Sequence, residues 1–159
     1  MRTNAATQRR ATAKATAKTA PGAQSAALPF RIGEGGLEIM LITSRRTRRW
    51  IVPKGWVQDG MTPCTSAARE ALEEAGISGD ISDRPLGAFH YIKEKQGVGL
   101  PCRVALFPLK VTRQRRTWPE KDVREAKWFP ATEAAALVAE PELRRLILKF
   151  AAQQAAHTP

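Results

Sequence analysis

The sequence predicts an α/β protein in which helices cover both faces of a mixed β-sheet. Short β-prone runs and segments with helical periodicity interleave along the chain, but without the regular strand–helix–strand order of a doubly wound parallel sheet. No internal repeat is visible, and 159 residues suit one well-packed domain rather than two. These observations favour a single layered domain.

The first predicted strands lie in the first third of the chain. Residues 28–32 and 37–43 are expected to pair across a glycine-rich turn, because both runs are apolar and β-prone. Residues 50–52 form a short third strand that Pro53 ends, since proline cannot donate to a sheet ladder. A glycine-punctuated loop is predicted over residues 54–61.

The most clearly marked element is a helix predicted over residues 63–75. Thr62 provides an N-cap side chain, Pro63 suits the first turn, and Gly76 suits the position after the last turn. An apolar stripe on this helix is expected to pack on the sheet, and it consists of residues 64, 68, 71, 72 and 75.

The second half of the chain adds three predicted strands and two predicted helices. The strands lie at residues 86–93, 103–111 and 127–129. An alanine-rich helix is predicted over residues 132–139, and Pro141 begins a final helix. The final helix is amphipathic, and its apolar face is formed by Leu143, Leu146, Ile147 and Phe150.

Residues 1–27 differ in composition from the rest of the chain. They contain no acidic residue and, apart from Met1, no large apolar residue. Such a segment cannot bury enough surface to offset the entropy lost on ordering, so it is predicted to be a disordered basic arm before a single domain at residues 28–155. The composition also resembles that of a mitochondrial transit peptide, although the segment lacks a clear amphipathic stripe.

The chain is strongly basic, with 26 Lys and Arg against 15 Asp and Glu and a formal net charge of +11. This charge indicates a polyanionic partner, namely nucleic acid, an anionic membrane or a phosphorylated small molecule. No window is apolar enough for a membrane span, so no membrane partner is expected. Cys64 and Cys102 form neither a CxxC pair nor a disulfide framework, so we expect a reducing compartment, the cytoplasm.

Three glutamates are predicted to share one face of the helix at residues 63–75. Glu70, Glu73 and Glu74 are spaced at i, i+3 and i+4. An ordinary solvated face is one interpretation, but like charges four residues apart destabilise a helix, and its C-terminal half disfavours anions. Arg69 can pair with Glu73 alone, so a divalent cation such as Mg²⁺ is an equally good interpretation.

The same segment resembles the signature of the Nudix hydrolases. That signature is Gly, five residues, Glu, seven residues, Arg-Glu, an aliphatic residue, any residue, Glu-Glu, any residue, Gly and an aliphatic residue. The residues of this sequence that match it at the required spacing are Gly55, Arg69, Glu70, Ala71, Glu73, Glu74, Gly76 and Ile77. The resemblance extends over residues 28–150 and implies a Nudix-like α/β/α sandwich with a mixed β-sheet.

Nudix hydrolases cleave a diphosphate linked to another moiety and use Mg²⁺ or Mn²⁺. The metal site implied by the resemblance is formed by the backbone of Gly55 and by Glu70, Glu73 and Glu74. Glu70 would also be catalytic, and Arg69 would orient the carboxylates. Glu120 is the candidate for a further catalytic or metal-binding carboxylate in a late loop, and Glu125 is the runner-up.

One position departs from the signature. Met61 stands where the signature has its first Glu, and a thioether does not bind so hard a cation. Activity is expected to survive with weaker metal affinity, and Asp59 could partly substitute.

A basic run before the helix resembles that of the bacterial relatives of diphosphoinositol polyphosphate phosphohydrolases, which also act on diadenosine polyphosphates. Substrates with many phosphates need many donors, and arginine captures phosphate oxygens in a bidentate manner. Lys54 is the first candidate for phosphate contact, because it is held between a strand end and a glycine. The other candidates are Arg45, Arg46, Arg48, Arg49 and, on a later strand, Arg103.

The sequence therefore predicts a metal-dependent pyrophosphohydrolase acting on a polyphosphorylated small molecule, such as a diphosphoinositol polyphosphate or a diadenosine polyphosphate. One alternative is a Nudix hydrolase of a nucleoside diphosphate derivative or capped RNA, for which Trp50 or Trp56 could stack on a base. Another is a non-catalytic polyanion- or RNA-binding protein that uses the basic arm, which the intact Glu-Glu-x-Gly segment argues against. The oligomeric state is not predicted.

Overall fold

The computed structural model describes residues 22–157. In chain order the elements are β1 (Gly22–Gly33), β2 (Gly36–Thr43), β3 (Trp50–Ile51), β4 (Lys54–Trp56), α1 (Pro63–Ala75), β5 (Ile77–Ile81), β6 (Gly87–Lys95), β7 (Val98–Gln114), β8 (Ala126–Pro130), α2 (Ala131–Leu137) and α3 (Pro141–Ala156).

The strands described in this part of the chain form one mixed sheet around two long neighbours, β1 and β7. These two pair in parallel, and their pairing is the only parallel one among the described strands. Strand β1 also pairs antiparallel with β2 and β4, and β7 pairs antiparallel with β5 and β6. Strand β2 completes the sheet by pairing antiparallel with β3 and β8.

Helices cover both faces of this sheet, which confirms the predicted α/β/α arrangement. On one face, Ala67, Ala71 and Ala75 of α1 pack in a cluster with Phe107 and Leu109 of β7. On the other face, residues of α2 and α3 pack with β1, β2 and β7, including Leu143, Ile147 and Phe150 of the predicted apolar face. Burial of these apolar side chains is the main stabilising contribution. No helix within residues 22–157 is both long and apolar enough to cross a membrane.

The predicted boundary of the basic arm is wrong for residues 22–27. They form the first half of β1, and Ala26 and Ala27 are fully buried. Their small side chains suit the middle of the sheet, where β4 and β7 both supply backbone hydrogen bonds. The composition of this segment predicted disorder because it contains no large apolar side chain. Composition does not reveal the backbone pairing that orders these residues. Residues 1–21 of the predicted arm lie outside the described residues.

Two short strands lie where the sequence predicted none. Strand β4 occupies the start of the predicted loop, because three of its residues pair with β1. Strand β5 follows α1 directly and pairs with the end of β7, which is longer than predicted. Both depend on partners distant in sequence, so local propensity does not reveal them.

The ends of α1 match the prediction closely. The Thr62 hydroxyl accepts a hydrogen bond from the backbone N–H of Thr65, and Pro63 occupies the first turn. Gly76 adopts a left-handed conformation with φ of 68°, and its N–H bonds to the carbonyls of the last turn. The buried stripe is shifted, however. Cys64, Ala68 and Leu72 of the predicted stripe are only partly buried, and Ala67 joins Ala71 and Ala75 against the sheet.

Candidate active site

A cavity of about 440 Å³ opens beside the N-terminal half of β1. Its walls are the β2–β3 loop at residues 44–49, strand β4, the end of β6, Glu74 of α1 and Arg124 before β8. Six lysines and arginines line it against two glutamates, so it is a strongly cationic cavity with an acidic group at one side. Such a lining suits a ligand that carries several negative charges.

Glu74 is the acidic group that reaches this cavity from α1. Its side chain is only 4% exposed, and desolvation raises its pKa to about 8. In its protonated form Glu74 donates a hydrogen bond to Glu70, whose own pKa burial also raises. Burial and the charge of Glu70 therefore both favour the protonated form of Glu74.

Glu70 lies directly against the backbone of β4. A Cβ atom at position 55 would overlap the Glu70 carboxylate, so only glycine allows this approach. Gly55 is itself fixed by pairing with Ser25 of β1. The strand and the helix therefore place the Gly55 backbone and the Glu70 and Glu74 carboxylates side by side.

Glu73 points towards a different partner. The Arg69 Nε atom donates to Glu73 at 2.9 Å, and Arg69 Nη1 donates to the side chain of Gln58 at 3.1 Å. Within residues 22–157, no three Asp, Glu, His or Cys side chains are arranged to hold a metal ion. The structure thus brings Glu70 and Glu74 together and leaves Glu73 paired with Arg69.

The Glu70–Glu74 pair nevertheless fits a divalent cation. Both groups offer hard carboxylate oxygens, and Mg²⁺ commonly binds through one or two carboxylates, with water and substrate phosphate completing its shell. Because burial disfavours the charged form of both carboxylates, a positive charge bound beside them stabilises both.

Arg124 connects the acidic side chains and was not predicted. Its guanidinium donates to Glu120 at 3.2 Å and to the carbonyl of Thr43 at 3.1 Å, and it lies 3.6 Å from Glu74. The i, i+4 spacing of Glu120 and Arg124 was the available sequence signal. Glu120 also lies 3.9 Å from Arg45, so it is held between two arginines. Glu125, the runner-up, is exposed and binds Thr43 through its backbone N–H.

The predicted phosphate-binding residues are mostly at the cavity. Lys54, Arg45, Arg46 and Arg49 all line it. The Lys54 ammonium lies 4.8 Å from the centre of the Tyr91 ring, and desolvation lowers the pKa of Lys54 while Glu74 opposes that shift. These cations form one wall of the cavity opposite the end of β6.

Arg48 and Arg103 are not among the residues that line the cavity. Arg48 has a positive φ of 55°, and its guanidinium donates to the carbonyl of Val123 at 3.1 Å. Arg103 is exposed and alternates along β7 with Cys102 and Val104, which are buried, so its side chain points away from their face.

One residue that lines the cavity, Gln24, had no sequence signal, and the two tryptophans predicted to stack on a base lie in different places. Gln24 fell within the predicted arm, yet its side chain accepts a hydrogen bond from the Tyr91 hydroxyl at 2.7 Å inside the cavity. Trp56 is 43% exposed in the wall, with the Lys93 ammonium 5.4 Å from its ring. Trp50 instead packs against Phe129 in the core.

Neither Met61 nor Asp59 is among the residues that line the cavity. The Met61 N–H donates to the carbonyl of Gln58 and closes a turn, and Asp59 is exposed on that turn. The amide of Gln58 holds Arg69 instead, so the loop still supports the helix without the first glutamate of the signature.

A family model, curated relatives and solved structures all match this chain. The family model of the NUDIX domain matches residues 23–150. Nudix hydrolase 12, mitochondrial, of Arabidopsis thaliana is 32% identical over 118 residues, which is 72% of this chain and 58% of that protein. Diphosphoinositol polyphosphate phosphohydrolase 3-alpha of Mus musculus is 33% identical over 114 residues, covering 70% of this chain and 65% of that protein. The chain spans little more than half the length of the first of these relatives.

Among solved structures, the C. elegans Ap4A hydrolase superposes with a TM-score of 0.62. The superposition covers 85% of this chain and 99% of that one, at 22% sequence identity. The two proteins therefore share the fold.

Proposed function

Because the chain belongs to the NUDIX domain family, we propose that it is a metal-dependent hydrolase that cleaves a diphosphate linkage in a polyphosphorylated small molecule. One observation carries the proposal: the Glu70–Glu74 carboxylate pair, closed against Gly55, adjoins a cavity lined by six basic side chains. The acidic side suits a divalent cation, and the basic side suits phosphate groups.

Glu70, Glu74 and the Gly55 backbone would hold the cation, with Glu73 supporting the helix through Arg69. When bound, Mg²⁺ or Mn²⁺ neutralises charge on the diphosphate and acidifies the attacking water. Water attacks one phosphorus in line, a new P–O bond forms, and the bridging P–O bond breaks to release a phosphorylated product. The chain itself forms no covalent bond to the substrate.

Glu70 is the better candidate for the carboxylate that accepts the proton from water. Burial raises the pKa of Glu70 in the metal-free site, and this direction makes the carboxylate a stronger base. Glu120 accepts a hydrogen bond from Arg124 and lies 3.9 Å from Arg45, so its carboxylate is already engaged by two arginines. We therefore assign Glu120 to holding Arg124 and Arg45 in place.

Lys54 and the arginines of the β2–β3 loop would hold the outer phosphates. Arg45, Arg46 and Arg49 line the cavity within five residues of one another, and three guanidinium groups can bind several phosphate oxygens at once. This favours a substrate with more than two phosphates. A diphosphoinositol polyphosphate or a diadenosine polyphosphate meets that requirement, in keeping with the names of the mouse and C. elegans proteins.

A second candidate substrate class is a nucleoside diphosphate derivative or capped RNA. It is favoured by Trp56, whose indole is exposed in the cavity wall and could stack on a base. The cytoplasm is the proposed location, on the basis of two free cysteines.

A phosphate-release screen with Mg²⁺ or Mn²⁺ tests the proposal. The panel comprises diphosphoinositol polyphosphates, diadenosine polyphosphates, nucleoside diphosphate sugars and capped RNA. We expect turnover of the first two classes, to be abolished by EDTA, with Trp56→Ala affecting the nucleotide substrates more than the inositol ones. Tight polyanion binding without any turnover would instead support the non-catalytic alternative.

A further inference from the structure

A second cavity lies at the end of β7, beyond the C-terminus of α1. Its volume is about 420 Å³, and it is lined by Arg113, Gln114, Arg115, Arg116 and Thr117. It shares no lining residue with the candidate active site. Three arginines in four positions around one concavity are not explained by the proposed hydrolase.

The three arginines have no acidic partner among residues 22–157. The ion pairs described in that range involve Arg31, Arg45, Arg69, Arg124 and His90, and none involves Arg113, Arg115 or Arg116. All three side chains are exposed. The two other lining side chains, Gln114 and Thr117, are uncharged and can donate hydrogen bonds. The cavity therefore offers many donors to an anion and no competing carboxylate.

The segment that carries these arginines, which is the end of β7 and the loop after it, is anchored to α1. The backbone N–H of Arg115 donates to the carbonyl of Gly76 at 2.8 Å, and the N–H of Glu120 donates to the carbonyl of Glu73 at 3.1 Å. The Trp118 ring packs against Gly76. Since the backbone is held on both sides of the cavity, binding of an anion has to order only the arginine side chains and not the chain that carries them.

Stabilisation of the helix end explains only part of this cluster. Helix α1 has no basic residue in its last turn, so a nearby cation is favourable. That interaction needs only one charge, and it falls off within a turn. Gly76 already caps the helix through its N–H, and its own carbonyl accepts from Arg115.

We propose that Arg113, Arg115 and Arg116 form a second anion site that binds a small oligophosphate, separate from the active site. The cavity is compact, and its cations come from one short segment, which suits adjacent phosphate groups. A single-stranded nucleic acid would use an extended basic track with exposed aromatic rings. The aromatic ring of this loop, Trp118, is instead packed against Gly76.

Calorimetric titration with sodium tripolyphosphate in EDTA tests the proposal, because without metal the probe is bound and not hydrolysed. We expect two binding events in the intact chain. The triple variant Arg113→Ala, Arg115→Ala, Arg116→Ala should lose one of them, with affinity at that site falling about tenfold or more. The Arg45→Ala, Arg46→Ala variant should lose the other event and keep the first.

A charge-matched control removes three exposed cations elsewhere, by Arg84→Ala, Arg145→Ala and Lys149→Ala. This control should bind tripolyphosphate like the intact chain. A single event in the intact chain, or an equal loss in the control, would overturn the proposal. Tighter binding of a short single-stranded RNA than of tripolyphosphate through the same three arginines would overturn the choice of a small anion. Because the measurement involves no turnover, its failure leaves the proposed hydrolase untouched.

Discussion

Arg124 connects two glutamates with the backbone at the end of β2. Its guanidinium reaches Glu120, Glu74 and the carbonyl of Thr43, and its side chain is only 12% exposed. A lysine in this place would have a single ammonium group and could not keep the planar fork. The geometry of the acidic side of the cavity therefore depends on this one residue.

Replacing Arg124 by Lys should lower both turnover and stability. Without the guanidinium fork, Glu120 and the Thr43 carbonyl lose hydrogen-bond donors. We expect the free energy of unfolding to fall by about 1–3 kcal/mol, as for a partly buried charged contact. Urea unfolding and initial rates of phosphate release measure the two effects. Arg145→Lys on the exposed face of α3 is the matched control and should change neither. Wild-type rates in the Arg124 variant would contradict this role.

The metal-free protein should lose stability as the pH rises from 4.5 to 8. Burial raises the pKa of Glu74 from 4.5 to about 8 in the folded state. The folded state then binds the proton more tightly than the unfolded chain, so this contribution is complete below pH 4.5 and disappears by pH 8. Urea midpoints in EDTA should fall across this range, and Glu74→Gln should flatten the fall. An equally steep fall in the variant would show that another group is responsible.

For individual residues, the sequence predicted which residue types form the site better than it predicted which partners they contact. Spacing on a helix placed Glu70 and Glu74 together, and it also paired Arg69 with Glu73. Gln24 had no sequence signal, and the spacing of Arg124 from Glu120 indicated only that pairing, because both residues reach the cavity through contacts made in the folded sheet. Arg103 was predicted to contact the substrate because the sequence alone does not show which alternate residues of β7 are buried.

The junction of β4 and α1 determines where the carboxylates lie. Gly55→Ala would place a methyl group into the Glu70 carboxylate, which has to move away from the Gly55 backbone. We expect turnover to fall about tenfold or more, since misplacement of a catalytic group by an ångström can cost more than that. Gly35→Ala is the matched control, because nothing lies within 4 Å of its added Cβ. Equal rates in both variants would argue against a role for the close approach.

Elements with local signals were predictable, and elements that depend on distant pairing were not. The helix α1 carries its own start and stop signals in Thr62, Pro63 and Gly76, so its bounds were predicted correctly. Strands β4 and β5 are three and five residues long and exist because β1 and β7 pair with them. The buried stripe of α1 differs from the predicted one because small alanine side chains let the helix approach the sheet closely. A prediction based on hydrophobicity does not take this effect of size into account.

For the whole molecule, the described sheet begins at residue 22 and not at 28. A chain starting at Gly22 keeps every pairing of β1, whereas one starting at Leu28 loses the residues that pair with β4. The first should unfold cooperatively like the full chain, and the second should lose cooperative unfolding, as followed by circular dichroism. Comparable unfolding curves for the two truncations would contradict the described role of residues 22–27.

The charge of +11 is distributed among distinct sites. Six basic side chains line the active-site cavity, and three more line the cavity at the end of β7. Residues 1–27 carry five basic residues, and those at positions 2–18 lie outside the described part of the chain. A high net charge therefore does not by itself indicate nucleic-acid binding, since its placement beside the carboxylate pair is what supports a phosphate-handling enzyme.

The most direct test of the central claim is Mg²⁺-dependent phosphate release by Glu74→Gln beside the intact chain. Glutamine keeps the shape of the side chain and removes its charge, so the fold should persist while turnover falls by about a hundredfold or more. Glu133→Gln, an exposed acid at the start of α2, is the control and should leave the rate unchanged. Full turnover by Glu74→Gln, or equal turnover in EDTA, would contradict a metal-dependent hydrolase centred on this carboxylate pair.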